Sequence, residues 1–253
     1  MNTEKNQIYI FTDGSSLGNP GPGGWGTIIY NTNTEKVFEL GGYEKETTNN
    51  RMELIAAIEA LLAIDPIGKT YGVTIFIDSA YVLNGITKWV YGWEKNGWIT
   101  STKDDVLNRD LWERLLLLVR VQKEKITWQK IKGHSGIPGN ERVDQIATSY
   151  AEKLPVELFH GSLVEYENDL GSPILKGTDG TLNGKAVGQA QKSKTKTGTG
   201  YSYVSLVNGK ISIDKTWADC EKRVKGAKGA KYKKTMNKEE ESDLIALWSL
   251  QSL

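Results

Sequence analysis

The chain has 253 residues, of which 38% are hydrophobic and 25% are charged, and this balance excludes a wholly disordered protein. No apolar run approaches the ~18 residues of a membrane-spanning helix, and the polar start lacks the apolar stretch of a secretory signal, so we expect neither. The single cysteine, Cys220, excludes an intrachain disulfide and favours a cytoplasmic location.

The formal net charge of +1 conceals an uneven distribution of charged residues along the chain. Residues 176–253 hold 15 Lys and Arg against 8 Asp and Glu, whereas the preceding residues hold 17 against 23. Such a split suggests two functional units, the second of which is a candidate for contact with a polyanion. On charge alone, a solvated basic tail explains the same residues equally well.

The first quarter of the chain predicts three strands followed by a helix. Short apolar and β-branched runs predict strands at residues 8–12, 25–30 and 37–42, connected as an antiparallel meander. Between the first two strands, the glycine- and proline-rich residues 18–24 predict an irregular loop. Apolar residues then recur at helical spacing over residues 50–64.

The next ninety residues alternate strands with helices. We predict strands at residues 73–77 and 126–131 and helices at residues 80–86, 105–121 and 141–153. Parallel strands need a crossover connection, so this alternation implies parallel pairing next to the antiparallel meander. The sequence therefore predicts an α/β domain with a mixed five-stranded sheet and flanking helices.

The remaining residues predict a linker and a small α+β domain. Residues 155–173 have no clear pattern, and residues 177–200, rich in Gly, Thr, Lys and Ser, predict a flexible linker. Later segments predict a hairpin about Asn208-Gly209, a helix, a third strand and a final helix, at residues 201–213, 217–224, 230–234 and 238–250. We therefore expect a large domain in residues 1–155, an extension and linker in 156–200, and a small basic domain in 201–253.

Four acidic residues stand out by their positions in these elements. Asp13 and Asp78 follow the ends of two predicted strands, and ligand sites in α/β proteins form outside the carboxyl ends of strands. Glu53 lies in the first turn of a predicted helix, and Asp144 lies near the start of another. Position alone favours the alternative that these acids are helix caps and turn formers.

If the four carboxylates converge, their mutual repulsion raises the pKa of each one. A bound divalent cation compensates this repulsion. Oxygen ligands suit Mg²⁺ or Mn²⁺ and not zinc. Two such ions about 3.5–4 Å apart stabilise both the attacking and the leaving oxygen of a phosphodiester. The chemistry predicted for a convergent site is therefore metal-assisted phosphoryl hydrolysis.

Several motifs in this chain resemble the type 1 ribonuclease H family. The resemblance spans residues 8–151, and the order of the motifs and of the predicted elements agrees with the family. It implies a ribonuclease H-like fold and an endonuclease that hydrolyses the RNA strand of RNA–DNA hybrids by two-metal-ion phosphodiester cleavage, leaving 5′-phosphate and 3′-hydroxyl ends. The motifs are Thr12-Asp13-Gly14-Ser15, the glycine-rich residues 18–24, residues 47–54 (TTNNRMEL), Asp78-Ser79, Lys132-Gly133-His134, and Gly139-Asn140-Glu141-Arg142 followed by Asp144.

The resemblance assigns catalytic roles to five residues. Asp13, Glu53, Asp78 and Asp144 match the family's metal-binding acids, which implies two Mg²⁺ ions in the presence of substrate, with Mn²⁺ as an alternative. His134 matches the histidine that assists proton transfer and product departure. An ordinary exposed loop histidine is the alternative for that position.

Other matched positions imply contacts with the nucleic acid. Asn19 and Asn49 match minor-groove contacts, and Thr48 matches part of a pocket for a DNA phosphate. Trp89 lies in a tryptophan-rich segment that matches the family's handle on the DNA strand, and it is the tryptophan best placed to contact deoxyribose. The alternative for these tryptophans is packing of the handle onto the body of the domain. Ala80 stands where many relatives carry Gln, so one contact with a 2′-hydroxyl is missing or replaced. The implied partner is an RNA–DNA hybrid, and we expect a monomer that binds no membrane.

The small basic domain resembles the hybrid-binding, viroplasmin-like domain that usually precedes the catalytic domain in eukaryotic-type relatives. Trp217, Tyr232, Lys233 and Lys234 match its positions for nucleic-acid contact. Stacking rings and phosphate-neutralising lysines suit that role. The alternative for Trp217 and Tyr232 is a small hydrophobic core.

Three rival functions remain for the chain as a whole. The first is a hybrid-binding protein without activity, which four clustered acids beside a phosphate backbone disfavour. The second is another nuclease or an integrase with the same fold, disfavoured by the Thr48-Asn49-Asn50 stretch and the C-terminal domain. The third is a fragment of a reverse transcriptase, which the polar, Met-led start of the chain disfavours.

Overall fold

A mixed six-stranded sheet forms the centre of the larger unit in the computed structural model, which describes residues 7–64, 72–122, 126–178 and 201–235 with residues 238, 241, 242, 244, 245 and 248. The strand order is β5-β4-β1-β2-β3-β6, with β4 parallel to β1 and β5 and the other neighbours antiparallel. The predicted mixed sheet is confirmed, with one strand more than expected. The strands are β1 Gln7–Ser16, β2 Gly21–Asn31, β3 Lys36–Thr47, β4 Gly72–Ile77, β5 Ile126–Lys130 and β6 His160–Ser162.

Helices cover both faces of this sheet. The helices are α1 Asn49–Ala63, α2 Ala80–Asn84, α3 Val90–Lys95, α4 Arg109–Val121 and α5 Pro138–Ala151, with a π-helical turn at Gly85–Trp89 between α2 and α3. Helix α1 packs on β1, β2 and α4, whereas α5 packs across β1, β2 and β3. A hydrophobic cluster lies on each face, one containing α1 and α4 and the other containing α5.

Two helices start three or more residues away from the position that the sequence pattern predicts. Helix α4 begins at Arg109 instead of residue 105, because Asn108 adopts a left-handed conformation with φ of 60° and Asp105 bridges to Ile99. Helix α5 begins three residues early, at Pro138, where proline's fixed φ and missing N–H suit the first helical turn.

The predicted loop at residues 18–24 is wrong for its second half, since β2 begins at Gly21. At one of its glycines, Gly24, helix α5 crosses the sheet very closely. A Cβ atom at Gly24 would overlap the carbonyl oxygen of Ala147. Glycine in this strand therefore marks close packing of a helix backbone, not a turn.

The extension, which showed no sequence pattern, is folded onto the larger unit as far as residue 178. It contributes β6, which pairs with β3, and helix α6, Leu163–Leu170. Ser162 and Glu165 form a reciprocal capping box at the start of α6. Tyr166 and Ile174 are buried in the same cluster as Phe11. The described part of the extension, up to residue 178, is thus folded together with the larger unit.

A buried carboxylate joins the extension to the sheet and to α5. The side chain of Glu39, on β3, accepts hydrogen bonds from Nε and Nη2 of Arg142 at 2.8 Å each. It also accepts bonds from the Tyr166 hydroxyl at 2.6 Å and from the backbone N–H of Phe159 at 2.9 Å. These four bonds satisfy both carboxylate oxygens, so the charge is tolerated inside the protein.

The smaller unit contains a three-stranded antiparallel sheet, of order β8-β7-β9, with a helix packed on it in the described part of the unit. Asn208 and Gly209 have φ of 50° and 75°, as the predicted two-residue hairpin turn requires. The described residues of the predicted final helix are helical, and most of the predicted linker, residues 179–200, lies outside the described residues. Its elements are β7 Ser202–Val207, β8 Lys210–Asp214, α7 Trp217–Val224 and β9 Lys231–Thr235.

Within the described part of the chain, every helix is too short or too polar to cross a membrane.

We predict that Arg142→Ala lowers the free energy of unfolding by about 3–5 kcal/mol, because it leaves the Glu39 carboxylate buried without its countercharge. The control is Arg109→Ala, which removes an exposed ion pair with Glu113 and a cation–π contact with Trp98 and should cost less, about 1–2 kcal/mol. Urea unfolding of both variants tests this. Equal losses would show that Arg142 is not needed to neutralise Glu39.

Candidate active site

Three carboxylates from separate elements meet at one end of the sheet. Asp13 lies on β1, Asp78 follows β4 and Glu53 lies on α1, and one oxygen from each lies within 4.8 Å of the others. Thr12 pairs with Ile77 in the parallel register, so the residues that follow, Asp13 and Asp78, lie side by side. The structure therefore brings together three of the four acids that the sequence singled out.

Gly14 allows the third acid, Glu53, to lie close to the other two. A Cβ atom at Gly14 would overlap the backbone of Met52 and Glu53, so only glycine lets α1 approach β1 this closely. Thr48 caps α1, because its hydroxyl accepts a bond from the backbone N–H of Arg51 at 3.4 Å. The cap and the glycine together set the position of Glu53 beside Asp13.

Asp144 and His134 lie at the more exposed side of this acidic group. Asp144, on α5, is outside the group of three but close enough for its charge to act on Asp13. His134 lies on the loop before α5, with its side chain 80% exposed and its Nδ1 3.8 Å from Oδ2 of Asp144. The structure thus places His134 at the rim of the acidic group and not inside it.

Burial and mutual repulsion make these acids hard to ionise in the protein alone. Burial, with the charges of Asp78 and Asp144, raises the pKa of Asp13 from 3.8 to about 8. Burial, with the charges of Asp13 and Asp78, raises the pKa of Glu53 well above its ordinary 4.5. Asp13 and Glu53 are therefore stable as anions together only with a compensating positive charge.

The donor set fits a hard divalent cation. All three groups offer carboxylate oxygens, which Mg²⁺ and Mn²⁺ prefer. Oε2 of Glu53 is buried without a hydrogen-bond partner, as expected of an oxygen whose partner is an ion. The sequence prediction of a divalent-metal site is therefore compatible with the geometry.

Asn140 belongs to the site but received no role from the sequence. Its side chain is 1% exposed, and its Nδ2 donates to Oδ2 of Asp78 at 3.3 Å. Its Oδ1 is buried without a partner. A signal was available, because Asn140 and Asp144 are four residues apart on one helix and therefore share a face.

The predicted nucleic-acid contacts of the larger unit lie on its surface. Asn19 is exposed in the turn between β1 and β2, and Asn49 is exposed at the first residue of α1. The Thr48 hydroxyl accepts the capping bond and keeps its own hydrogen available for donation. Asn49 and Thr48 are close in sequence to Glu53, which places them near the acids.

A series of tryptophans connects the surface to the core at α3. The ring of Trp89 lies 5.6 Å from that of Trp93, which lies 5.6 Å from that of the buried Trp112. Trp89 is the exposed member of the series. Its outer face is available to a ligand, and its inner neighbours hold it in place.

The smaller unit presents a second aromatic surface. The ring of Trp217 lies 4.9 Å from that of Tyr232 and 5.8 Å from that of Tyr203, and Trp217 and Tyr232 are exposed. Strand alternation places Lys234 on the same face as Tyr232. Lys233 faces the opposite way and is 8% exposed, so the structure does not bring it to this surface with the other three predicted residues.

The comparisons with known proteins support one family for the larger unit. The sequence matches the RNase H family model over residues 5–152. A second family model, described as the ribonuclease H1 N-terminal domain, matches residues 211–240. The second match falls within the smaller unit, after the larger unit instead of before it.

Individual relatives agree with the family match. A protein named Ribonuclease H from Polaromonas sp. is 50% identical over 151 residues, which cover 60% of this chain and 92% of that protein. One of the same name from Dechloromonas aromatica is 51% identical over 152 residues, 60% of this chain and 98% of that protein. The crystal structure of LC9-RNase H1, "a type 1 RNase H with the type 2 active-site motif", aligns with TM-score 0.53 and 27% identity over 66% of this chain and 83% of that one.

The raised pKa of Asp13 predicts a pH dependence of stability in excess chelator. Between pH 3.8 and about 8 the folded state binds more protons at Asp13 than the unfolded state, so the free energy of unfolding falls as pH rises through this range. Asp13→Asn should weaken that fall and stabilise the metal-free protein at pH 8. Urea unfolding at several pH values measures both effects, and parallel pH profiles for the two proteins would contradict the assigned burial of charge.

Proposed function

Because this chain belongs to the RNase H family, we propose that it is an endonuclease that hydrolyses the RNA strand of RNA–DNA hybrids. The observation that carries this function is the buried group of Asp13, Glu53 and Asp78. A protein that only binds nucleic acid gains nothing from buried anions beside a phosphate backbone. Phosphodiester hydrolysis gains a site for the cations that stabilise the charge of the transition state.

We propose Mg²⁺ as the physiological ion, with two ions per site when substrate is bound and Mn²⁺ as a possible substitute. Asp13, Glu53, Asp78 and Asp144 are the residues that would hold it. When bound, the metal supplies Lewis acidity at the phosphate oxygens and a more acidic water. Asn140 keeps the Asp78 carboxylate in place by donating to its Oδ2.

His134 is proposed to transfer a proton at the rim of the site. Its Nδ1 faces the Asp144 carboxylate, which leaves Nε2 as the ring nitrogen that can exchange a proton with the departing ribose oxygen. Its exposure lets it reach the substrate and the solvent in turn. This position suits a residue that assists product release.

Selection of a hybrid requires contact with both strands. RNA differs from DNA at the 2′-hydroxyl, so one strand must be recognised through that group. We propose Asn19 and Asn49 for contacts in the minor groove, the Thr48 hydroxyl for a phosphate of the DNA strand and Trp89 for a deoxyribose. Ala80 is too short for a hydrogen bond to a 2′-hydroxyl.

The smaller unit is proposed as a second binding site for the hybrid. Trp217 and Tyr232 offer ring faces for stacking on sugars or bases, and Lys234 offers charge for a phosphate. A tethered second site raises the effective concentration of substrate at the first. Competition between hybrids and other duplexes tests whether this unit distinguishes them.

We further propose a monomer located in the cytoplasm. One chain supplies all of the acids assigned to the site, so a partner subunit is not needed to complete it. Cys220, the single cysteine, is buried, as suits a protein that does not depend on disulfides.

We predict that Asp13→Asn lowers the rate of hybrid cleavage by about a thousand-fold or more, because it removes a carboxylate from the centre of the acidic group. Hybrid binding should be retained, since the contact residues are unchanged. Cleavage of a labelled hybrid in Mg²⁺, with and without excess chelator, and binding by fluorescence anisotropy measure the two effects. The proposed site is wrong if Asp13→Asn cleaves normally.

We predict that the Trp217→Ala, Tyr232→Ala double variant raises KM for hybrid about ten-fold or more with kcat unchanged, because each stacked base contributes about 1–3 kcal/mol. The matched control is Ile213→Ala, an exposed side chain on the opposite face of the small sheet. A chain ending after residue 178 should behave like the double variant. A large fall in kcat instead would contradict a purely binding role for the smaller unit. Competition with duplex DNA and duplex RNA measures the selectivity of this unit for hybrids.

A further inference from the structure

The extension lies outside the part of the chain that defines the family. The family match ends at residue 152, and relatives aligned over 92% and 98% of their own length match only 151 and 152 residues of this chain. Residues 156–178 are nevertheless folded onto the larger unit through β6, α6 and the turn that follows. Their contacts indicate a role in the active site.

The first half of the extension holds the helix that carries Asp144. Arg142, two residues before Asp144, donates from Nη2 to the carbonyl oxygen of Glu157 at 2.8 Å. Arg142 is also bound by Glu39, whose carboxylate is shared with the Tyr166 hydroxyl of α6. The extension therefore fixes α5 near the position of its catalytic acid.

The second half of the extension lies against the base of the His134 loop. Ile174 is 1% exposed, in the same cluster as Ile131 and Ile137, the two buried residues that flank this loop. The Cβ position of Gly177 is 3.3 Å from Cγ1 of Ile137. The backbone N–H of Ile174 donates to Glu167 of α6 at 3.1 Å, which holds this turn against the helix.

The His134 loop has few restraints of its own. His134, Ser135 and Gly136 are exposed, and His134 has φ of 48°. The hydrogen bonds found within the described loop are local, from Ser135 Oγ to the carbonyl of Lys132 at 2.6 Å and from the N–H of Gly136 to Glu141 at 3.1 Å. Its position therefore depends on how firmly its buried flanks are held.

We propose that residues 156–178 are a positioning element that fixes His134 relative to Asp144 during hybrid cleavage, with Ile174 and Tyr166 as its main positioning residues. This proposal rests on the proposed function for its catalytic consequence. Neither residue contacts the reacting atoms. Each acts through the element that it holds, Ile174 through the base of the His134 loop and Tyr166 through Glu39 and Arg142.

Hydrogen exchange of the full chain tests the proposal without any activity measurement. We expect Ile174→Ala to speed amide exchange in residues 132–137 about ten-fold, with exchange in β1 and β4 unchanged. The matched control is Val164→Ala on α6. The Val164 side chain is 70% exposed, so its truncation should leave amide exchange in the loop unchanged. Unchanged loop exchange in Ile174→Ala, or faster exchange throughout the sheet, would overturn the proposal.

A double-mutant cycle with His134→Ala tests the catalytic consequence. We expect Ile174→Ala to lower kcat about five-fold with little change in KM, and to lower it less than two-fold when His134 is already absent. Equal losses with and without His134 would show a merely structural role and overturn the proposal.

Two further outcomes keep the proposal separate from the proposed function. If the wild-type chain does not cleave hybrid, the proposed function fails, and the exchange experiment still decides whether the extension holds the loop. If Ile174→Ala does not fold, Ile174→Val replaces it in both experiments. A normal loop and an unchanged kcat in Ile174→Val would then overturn the proposal.

Discussion

The repulsion among three carboxylates, two of them buried, is the constraint on which the rest of this structure depends. Asp13 and Glu53 would stay apart from each other and from Asp78 if solvation alone decided, because both lose water on burial and the charges of the neighbouring acids raise the pKa of both. Backbone geometry holds them together, through the register of two parallel strands and the missing side chain of Gly14. In the proposed function, the same repulsion favours the binding of cations, so the cost in folding is recovered when the metal binds.

The site draws its residues from both faces of the sheet. One layer, with α1 to α4, supplies Glu53 and the tryptophan series, whereas the other, with α5 and the extension, supplies Asp144 and His134. Each layer is fixed by its own hydrophobic cluster, so the relative position of the acids depends on both. The buried Glu39 carboxylate binds Arg142 of α5 and Tyr166 of α6, and thereby ties both helices to β3.

The two units differ in charge. The first part of the chain is net negative and carries the acids of the site, whose charge repels a phosphate backbone until cations are bound. The second part is net positive and presents Trp217 and Tyr232. In the proposed function, the smaller unit binds the hybrid and the larger unit cleaves it, so the basic binding surface is separate from the acidic site.

The sequence by itself determined the features that depend on neighbouring residues. Helical spacing predicted α1, the Asn208-Gly209 pair predicted a hairpin turn, and two strands ending on Asp13 and Asp78 predicted acids at one end of the sheet. Only the tertiary structure decided the three-residue strand β6, the strand conformation of Gly21 to Gly24 and the inward face of Lys233. These features depend on contacts between residues that are far apart in the chain. Glu39, for example, accepts a hydrogen bond from Tyr166, which lies 127 residues later, and a local sequence pattern cannot predict such a partner.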